Sequence, residues 1–365
     1  MVGSDNSNND NDDGCLDEAL WLSCGQVYPA VLNAAIELNL FDIIGRGNPQ
    51  GMSASEIASQ LPTHDQHPDA PQRLDRILFL LASHSLLTWS KRIDEDVEEE
   101  EEVERLYSLS STGRYLVADD DGASFASLSK LCCHPAFVSV WQNFKKVIEG
   151  DEEDLFKKVH GMSMFEYMET DATFKPLFHR AMADISAMHM RKILETYKGF
   201  EGILTLVDVA GGIGQSLKMI TAKYPSIKGI NFDLPQVIQH APSYTGVTHL
   251  GGDMFKSVPE GDAIMIKATT HNWSDEKCVQ VLKNCHKSLK EGGKVIIIDL
   301  IMPEIPKASD GDKYVTILDN VMFLQAGGKE RTEKEFAHLC KSSGFSGYQI
   351  AASAFSALGV IEFYK

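Results

Sequence analysis

The feature that most constrains the fold is a series of short, continuous apolar segments that alternate with helical patterns in the last 160 or so residues. Uninterrupted apolar runs are typical of strands that are buried on both faces of a parallel sheet. The predicted strands are 204–209, 229–232, 263–267 and 294–299. Segments 347–352 and 358–363 end the chain and predict a hairpin. The pattern therefore predicts an α/β fold, a doubly wound sheet with helices on both faces and an antiparallel edge.

The first 125 residues follow a different, mainly helical pattern. Residues 1–14 are almost all Asn, Asp, Ser and Gly, which is typical of a disordered tail. Residues 15–125 show helical periodicity, a capping box formed by Ser53 and Glu56, and two short predicted strands at 86–89 and 106–109. Helices followed by a two-strand ribbon predict a mainly helical, winged-helix-like domain. Residues 126–365 form the second domain, and its first helices are expected to line the substrate site.

The charge of the chain limits its partners. A net charge of −18 argues against a phosphate-backbone partner and against an anionic membrane surface. A winged helix often binds DNA, but the predicted wing, residues 94–104, carries nine carboxylates. We therefore expect no nucleic-acid and no membrane partner and interpret the domain as a packing and dimer-forming module. A DNA-binding regulator stays open as the disfavoured alternative.

Cysteine usage and the N-terminus bear on localisation. The seven cysteines have no regular spacing, and Cys132 and Cys133 are adjacent rather than a metal-binding CxxC pair. The N-terminus has neither a basic nor an apolar stretch, and no apolar run reaches the roughly 18 residues that a membrane span needs. These features predict a cytoplasmic protein with reduced thiols and without a metal site.

A glycine-rich turn, Ala-Gly-Gly-Ile-Gly, directly follows the first predicted strand of the sheet. Small residues at the carboxyl edge let a ligand approach the backbone closely. Asp233 ends the second strand, where a carboxylate can accept both hydroxyls of a ribose. Asp253 follows the next strand, and Met254 beside it can lie against an adenine ring. Together with Asp208 these acids suit a cationic sulfonium nucleoside better than the pyrophosphate of a nicotinamide dinucleotide, the rival ligand.

The residues of these segments resemble the plant caffeic-acid-type O-methyltransferases. The segments are Val-Asp-Val-Ala-Gly-Gly-Ile-Gly, Gly-Ile-Asn-Phe-Asp-Leu-Pro, Gly-Gly-Asp-Met-Phe, His-Asn-Trp-Ser-Asp-Glu-Lys-Cys and Gly-Gly-Lys-Glu-Arg-Thr. The similarity extends from residue 15 to Lys365. Within the family the sequence is most similar to the chalcone (isoliquiritigenin) 2′-O-methyltransferases, in segments 28–41, 318–323 and 358–365.

The resemblance implies a Rossmann-like methyltransferase sheet, a homodimer built through the N-terminal domain, and S-adenosyl-L-methionine as the methyl donor. The implied reaction methylates a phenolic hydroxyl, the 2′-hydroxyl of a chalcone. The catalytic base falls on His271, and two carboxylates that hold it fall on Asp299 and Glu330. The implied contacts of the methyl donor are Ala210, Asp233, Leu234, Asp253, Met254 and Lys267.

Two positions depart from the family. Ala210 stands where the family usually has glycine, and Asp299 stands where it usually has glutamate. The shorter carboxylate of Asp299 is expected to reach His271 only through water. These departures keep open a catalytically silent paralogue that serves as a dimer partner. Methylation of another phenolic, such as a phenylpropanoid or isoflavonoid, or of an aromatic amine also stays open.

The position of His271 supports its role apart from the resemblance. It follows the predicted strand 263–267 and precedes a helix that Ser274 and Asp275 open, at the edge where such sheets place their sites. A neutral imidazole there can take the proton of a phenol, whose pKa is about 10. Asn320, Met322 and six methionines between 162 and 190 are candidates for lining the substrate pocket. Helix packing is the alternative role of those methionines.

Overall fold

The computed structural model describes residues 7–62, 67–92, 104–149, 154–325, 327–355 and 357–365. The chain divides into two compact units, Met1–Val138 with Pro176–Ile185, and Ser139–Lys175 with Ser186–Lys365. The first boundary lies after Val138 rather than after the predicted residue 125, because the helical residues in between group with the N-terminal unit.

The N-terminal unit packs its helices around a small antiparallel sheet. In chain order, its first helices are α1 (Ser7–Ser23), α2 (Val27–Glu37), α3 (Leu40–Arg46), α4 (Ala54–Ala58) and α5 (Ala70–Ser83). They are followed by α6 (Ala126–Cys132) and α7 (Pro135–Trp141). The strands β1 (Met52–Ser53), β2 (Leu87–Lys91) and β3 (Arg105–Leu109) lie in the order β1-β3-β2. Leu40, Ile57, Leu78 and Tyr107 are fully buried in its core.

The predicted capping box is confirmed, since the Glu56 amide donates to Ser53 Oγ at 3.2 Å and the Ser53 amide donates to Glu56 Oε2 at 2.7 Å. The predicted tail differs from the structure. Residues 1–6 lie outside the described residues, but residues 7–14 belong to α1. A helix nucleated by the apolar stretch 15–23 extends backwards at low cost, because propagation is much easier than nucleation.

The predicted acidic wing lies almost entirely outside the described residues, which resume at Glu104. At its base, Arg92 forms ion pairs with Glu104 at 2.8 Å and with Glu56 at 2.7 Å.

The C-terminal unit is built on a parallel sheet. Its strands are β4 (Thr205–Val209), β5 (Lys228–Asp233), β6 (Val247–Gly251), β7 (Gly261–Lys267), β8 (Leu289–Met302), β9 (Arg331–Thr332), β10 (Gly347–Ala354) and β11 (Leu358–Tyr364). Seven of them lie in the order β10-β11-β8-β7-β4-β5-β6, and β9 pairs with β8. The strands β4 to β8 are mutually parallel, and β11 is antiparallel to both β8 and β10.

The predicted C-terminal hairpin is confirmed, but the antiparallel strand is not the edge. β11 inserts between β8 and β10, so β10 forms the edge and again runs parallel to the rest. The strand expected before Asp253, for which no bounds were predicted, is β6. Its sequence, Val-Thr-His-Leu-Gly, is mostly polar or half-exposed, as expected at the opposite edge.

Helices cover both faces of this sheet, as predicted. On one face lie α11 (Phe174–Thr196), α12 (Gln215–Lys223) and α15 (Asp310–Val321), and on the other α14 (Asp275–Ser288) and α16 (Glu333–Ser342). The remaining helices are α8 (Lys146–Glu149), α9 (Leu155–His160), α10 (Met164–Met168) and α13 (Pro235–Ile238). Alternate strand residues point to opposite faces, so Leu206 packs in one apolar layer and Val207 in the other. The two layers fix the carboxyl ends of β4, β5 and β7 relative to one another.

No single helix in the described part of the chain is long and apolar enough to span a membrane. The helices Gly14–Ser23 and Val27–Glu37 reach that length and hydropathy only as a pair, which is bent by 58°. Among the described residues, no group of three or more His, Cys, Asp or Glu side chains is arranged to hold a metal. All seven cysteines are described, and no disulfide joins any of them.

Candidate active site

The turn after β4 is shaped by backbone conformation. Ala210 has a φ of 58°, Gly212 of 59° and Gly214 of 84°, all in the left-handed region. The Ala210 amide donates to the carbonyl of Phe232 at 2.8 Å, which continues the pairing with β5. A Cβ atom on Gly212 would meet nothing within 4 Å, so this side of the turn is open.

Asp233, at the end of β5, is tied to the turn. Its Oδ2 accepts the Gly212 amide at 2.8 Å, and its Oδ1 accepts the Leu234 amide at 2.6 Å. Each carboxylate oxygen keeps a further lone pair. Asp253 follows β6, accepts the Phe255 amide at 2.9 Å and lies 3.5 Å from Lys256 Nζ. Leu234 is 44% exposed at this edge.

Asp208 and Asn231 form a polar pair behind the turn. They are register partners on β4 and β5, and both are buried. A Cβ atom on Gly211 would lie 2.2 Å from Asn231 Oδ1 and 2.7 Å from Asp208 Oδ2, so only glycine fits. The Asn231 amide donates to the Gly212 carbonyl at 2.8 Å. Asp208 therefore lies beneath the turn rather than at its open side, and burial raises the pKa of its carboxyl although the Lys267 charge opposes this.

Lys267 ends β7 and is half-buried. The pKa of its ammonium group is lowered by burial, although the charges of Asp208 and Asp299 oppose this shift. Among the described residues no ion pair or hydrogen bond joins this ammonium group to another side chain. Burial and the Lys267 charge lower the pKa of His189 to about 4, so its imidazole is neutral.

His271 lies in a 3₁₀ helix, Thr270–Asn272, directly after β7. Its Nδ1 lies 2.9 Å from Glu330 Oε1, and the glutamate side chain is buried. The carboxylate partner makes Nδ1 the protonated nitrogen and leaves Nε2 as the proton acceptor. Burial lowers the pKa of His271, but the Glu330 hydrogen bond and the Asp299 and Glu330 charges outweigh it, so the pKa is raised. Burial raises the pKa of Glu330 as well, although its hydrogen bond to His271 opposes this shift.

Asp299 does not contact His271 directly. It is buried in β8, just after the residues that pair with β7. Its Oδ2 accepts hydrogen bonds from the amide of Thr270, at 3.2 Å, and from the hydroxyl of the same residue. Its Oδ1 has no hydrogen-bond donor among the described residues. The direct hydrogen-bond donor of Asp299 is therefore the residue before His271, and the expected contact with His271 through water stays a prediction.

Arg331 is a residue that sequence reasoning missed. It is 1% exposed, and its Nη1 and Nη2 each donate at 2.7 Å, to the carbonyls of Thr270 and Trp273 respectively. Nε and Nη2 also bond Asp275 Oδ1 at 3.0 and 2.8 Å. The guanidinium thus clamps both ends of the 3₁₀ helix that carries His271. Its place directly after Glu330, in Gly-Gly-Lys-Glu-Arg-Thr, was the available signal.

The same edge of the sheet therefore carries a glycine turn with acids after β4 and a histidine with a carboxylate partner after β7. Comparisons with known proteins identify this combination. Residues 141–346 match the family model of the O-methyltransferase domain, and residues 20–119 match that of the O-methyltransferase dimerisation domain. The chain belongs to the plant caffeic-acid-type O-methyltransferases. It is an O-methyltransferase, and S-adenosylmethionine is its methyl donor.

Two curated relatives illustrate how close the match is. The chain is 49% identical to caffeic acid 3-O-methyltransferase of Prunus dulcis over 350 residues, which covers 95% of this chain and 93% of the relative. It is 46% identical to flavone 3′-O-methyltransferase OMT2 of Chrysosplenium americanum over 349 residues, covering 95% and 98%. The solved structure of human N-acetylserotonin methyltransferase has the same fold, with a TM-score of 0.77 at 20% identity and coverage of 100% and 99%.

The residues of this methyltransferase fit S-adenosylmethionine. Asp233 keeps unused lone pairs for ribose hydroxyls, the turn is open beside Gly212, and the Lys267 ammonium group has no ion-pair partner in the described chain. Acids at the turn match a sulfonium and an ammonium group, and a free lysine matches a carboxylate.

The residues proposed to line a substrate pocket are less clearly grouped. Met164, Met168 and Met190 are buried in the core, which favours the packing interpretation of the methionines. Asn320 is exposed, and its amide donates to the Thr316 carbonyl at 2.9 Å. Met322 opens a 3₁₀ helix, Met322–Leu324, in which Phe323 meets Phe144 edge to face.

Proposed function

We propose that this methyltransferase methylates a phenolic hydroxyl and that His271 is its general base. The observation that carries the proposal is the 2.9 Å contact between His271 Nδ1 and the buried carboxylate of Glu330. That contact leaves Nε2 free to accept a proton, and the names of the curated relatives supply phenolic acceptors. S-adenosylmethionine contributes an activated methyl group on a sulfonium.

The chain's own residues have two tasks in this proposal. Asp233 and Asp253 hold the nucleoside, and Ala210, Leu234, Met254 and Lys267 complete the contacts. His271 removes the phenolic proton as the oxygen attacks, a contribution that is typically 10²–10⁴ in rate. Glu330 keeps the imidazole in the required tautomer and stabilises the imidazolium that forms. No metal ion takes part in the proposal.

The finer proposal is that the acceptor is the 2′-hydroxyl of a chalcone such as isoliquiritigenin. It rests on the resemblance in segments 28–41, 318–323 and 358–365. A 2′-hydroxyl is bonded internally to the ketone, so a base of raised pKa has more to contribute there than with a free phenol.

A panel of acceptors tests the substrate proposal. The wild-type enzyme is assayed with labelled S-adenosylmethionine and with a 2′-hydroxychalcone, caffeic acid, a flavone and an aromatic amine. We expect a kcat/KM for the chalcone that is at least about tenfold above the others, a difference worth about 1.4 kcal/mol. A preference for caffeic acid or the flavone would keep the phenolic proposal and remove the chalcone, and methylation of the amine alone would remove both.

His271→Ala tests the base. We expect kcat to fall by about 10²–10⁴ while the Kd of S-adenosylmethionine, measured by calorimetry, stays within about twofold. His286→Ala is a control in which a histidine on α14 is removed away from the turn. Near-normal turnover of the His271 variant would mean that another group takes the proton.

We also propose that the protein acts as a homodimer through residues 20–119 and resides in the cytoplasm. Light scattering of the full-length protein tests the oligomeric state.

A further inference from the structure

The carboxylate of Asp299 faces a residue that no motif in the sequence singles out. Thr270 gives Asp299 Oδ2 two donors, its backbone amide at 3.2 Å and its side-chain hydroxyl. Both residues are buried, Thr270 at 5% and Asp299 at 2% exposure. A buried carboxylate is costly unless donors satisfy it, so these two bonds hold the Asp299 side chain in its position.

We propose that Thr270 is a positioning residue for His271, and that its hydroxyl holds the Asp299 carboxylate beside the imidazole in place of a direct carboxylate–imidazole hydrogen bond. The proposal rests on the proposed role of His271 as the base. It assigns Asp299 a role through its charge and through the loop, whereas Glu330 acts through direct contact.

The backbone around Thr270 is held from the other side as well. Its carbonyl accepts Arg331 Nη1 at 2.7 Å and Cys278 Sγ at 3.3 Å. The residue before His271 is therefore fixed at its amide, its hydroxyl and its carbonyl, which leaves the direction of the His271 Cα–Cβ bond little freedom. A base within hydrogen-bond reach of its proton needs such restraint, since small displacements reduce the rate steeply.

The effect of the Asp299 charge on the pKa of His271 can be separated from the effect of Thr270 on the geometry of the loop. Asp299, Glu330 and Arg331 are the charged groups that act on His271: the two carboxylates raise the pKa of the imidazole, and the guanidinium lowers it. Without the Thr270 hydroxyl, the carboxylate of Asp299 loses the donor that holds it and turns away from the imidazole. The negative charge then acts on His271 from a greater distance, so the pKa of His271 falls.

The chain offers a matched control. Thr269 is a neighbouring threonine that is also buried, at 8% exposure, and its hydroxyl donates to the Lys267 carbonyl at 2.9 Å instead of to a carboxylate. Thr269→Val and Thr270→Val remove the same chemical group one residue apart. Only Thr270→Val removes a donor from Asp299, and Thr270→Ser keeps that donor.

The experiment titrates the His271 imidazole by NMR in the full-length protein, with His271→Ala used to assign its signal, and measures kcat and KM beside it. In Thr270→Val we expect a lower pKa of His271 and a kcat reduced about tenfold, with the KM for S-adenosylmethionine within about twofold. Thr270→Ser should recover both values. Equal pKa and kcat in Thr270→Val and Thr269→Val would overturn the proposal.

Asp299→Asn completes the cycle. Because both substitutions act on one negative charge, Thr270→Val in the Asp299→Asn background should shift the pKa of His271 no further. Full additivity of the two shifts would also overturn the proposal. The NMR titration does not depend on turnover, so an active His271→Ala enzyme would contradict the proposed function while leaving this pairing intact.

Discussion

The loops after β4 and β7 begin in the same way and then diverge. Each starts with an alanine in the left-handed region, Ala210 at a φ of 58° and Ala268 at 49°. Each alanine amide donates to a carbonyl of the neighbouring strand, Phe232 at 2.8 Å and Ile298 at 3.0 Å. After Ala210 come glycines that offer the backbone, whereas after Ala268 come two threonines and a histidine that offer side chains.

The difference lies in how many parts of the chain each loop needs. The first loop is completed by the next strand, through Asp233 and Asn231. The second loop takes Asp299 from β8 and Glu330 and Arg331 from the segment that ends in β9. We therefore expect substitutions in the first loop to change donor affinity and substitutions around the second to change turnover.

Glu330→Gln should have the largest effect on this comparison. The substitution puts a neutral amide in place of the carboxylate whose charge raises the pKa of His271. We therefore expect kcat to fall by about 10² and the acidic limb of the pH profile to move to lower pH. The donor Kd should stay within about twofold. Glu335→Gln is the control, because Glu335 pairs with Lys329 and caps α16. A changed donor Kd would show that the two loops are not separate.

Asp233→Asn tests the first loop from the opposite direction. The neutral side chain loses charge-assisted bonds to the Gly212 amide and to the donor, so calorimetry should give a Kd for S-adenosylmethionine about 10–100 times higher. At saturating donor, kcat should stay within about threefold. Asp262→Asn, at the opposite end of β7, is the matched carboxylate control. A kcat loss with unchanged Kd would reverse the assignment.

The same difference explains what could be predicted from the sequence. The strands around the first loop are continuous apolar runs, and its glycines and Asp233 occur in a fixed order along one stretch, so local pattern was sufficient. Thr270 carries no such signal, because its role arises only when β8 is packed beside β7. Arg331 is marked only by its place after Glu330, and its contacts with the loop of His271 appear only in the folded chain. The helical residues 7–14 were missed because this polar segment extends the helix formed by the residues after it. The bounds of the edge strand β6 were missed because its residues are mostly polar or half-exposed.

The smallest expected effect concerns the two alanines with which the loops begin. An alanine in the left-handed region costs about 1–2 kcal/mol, and glycine avoids this cost. Glycine also raises the conformational entropy of the unfolded chain, which offsets about 0.4–1 kcal/mol of the gain. Ala210→Gly and Ala268→Gly should therefore each stabilise the protein by about 0.5 kcal/mol, a rise in Tm of about 1–2 °C by calorimetry.

Donor binding separates the two alanine variants. Ala210 borders the open turn where the family usually has glycine, so Ala210→Gly should lower the Kd of S-adenosylmethionine by up to about threefold, since a freer backbone lets the donor approach more closely. Ala268→Gly should leave that Kd unchanged, because the second loop serves turnover. A lower Tm in either variant would show that these backbones are not strained. An equal gain in affinity from both would mean that the two loops, which differ in every residue after the alanine, act on the donor as one site.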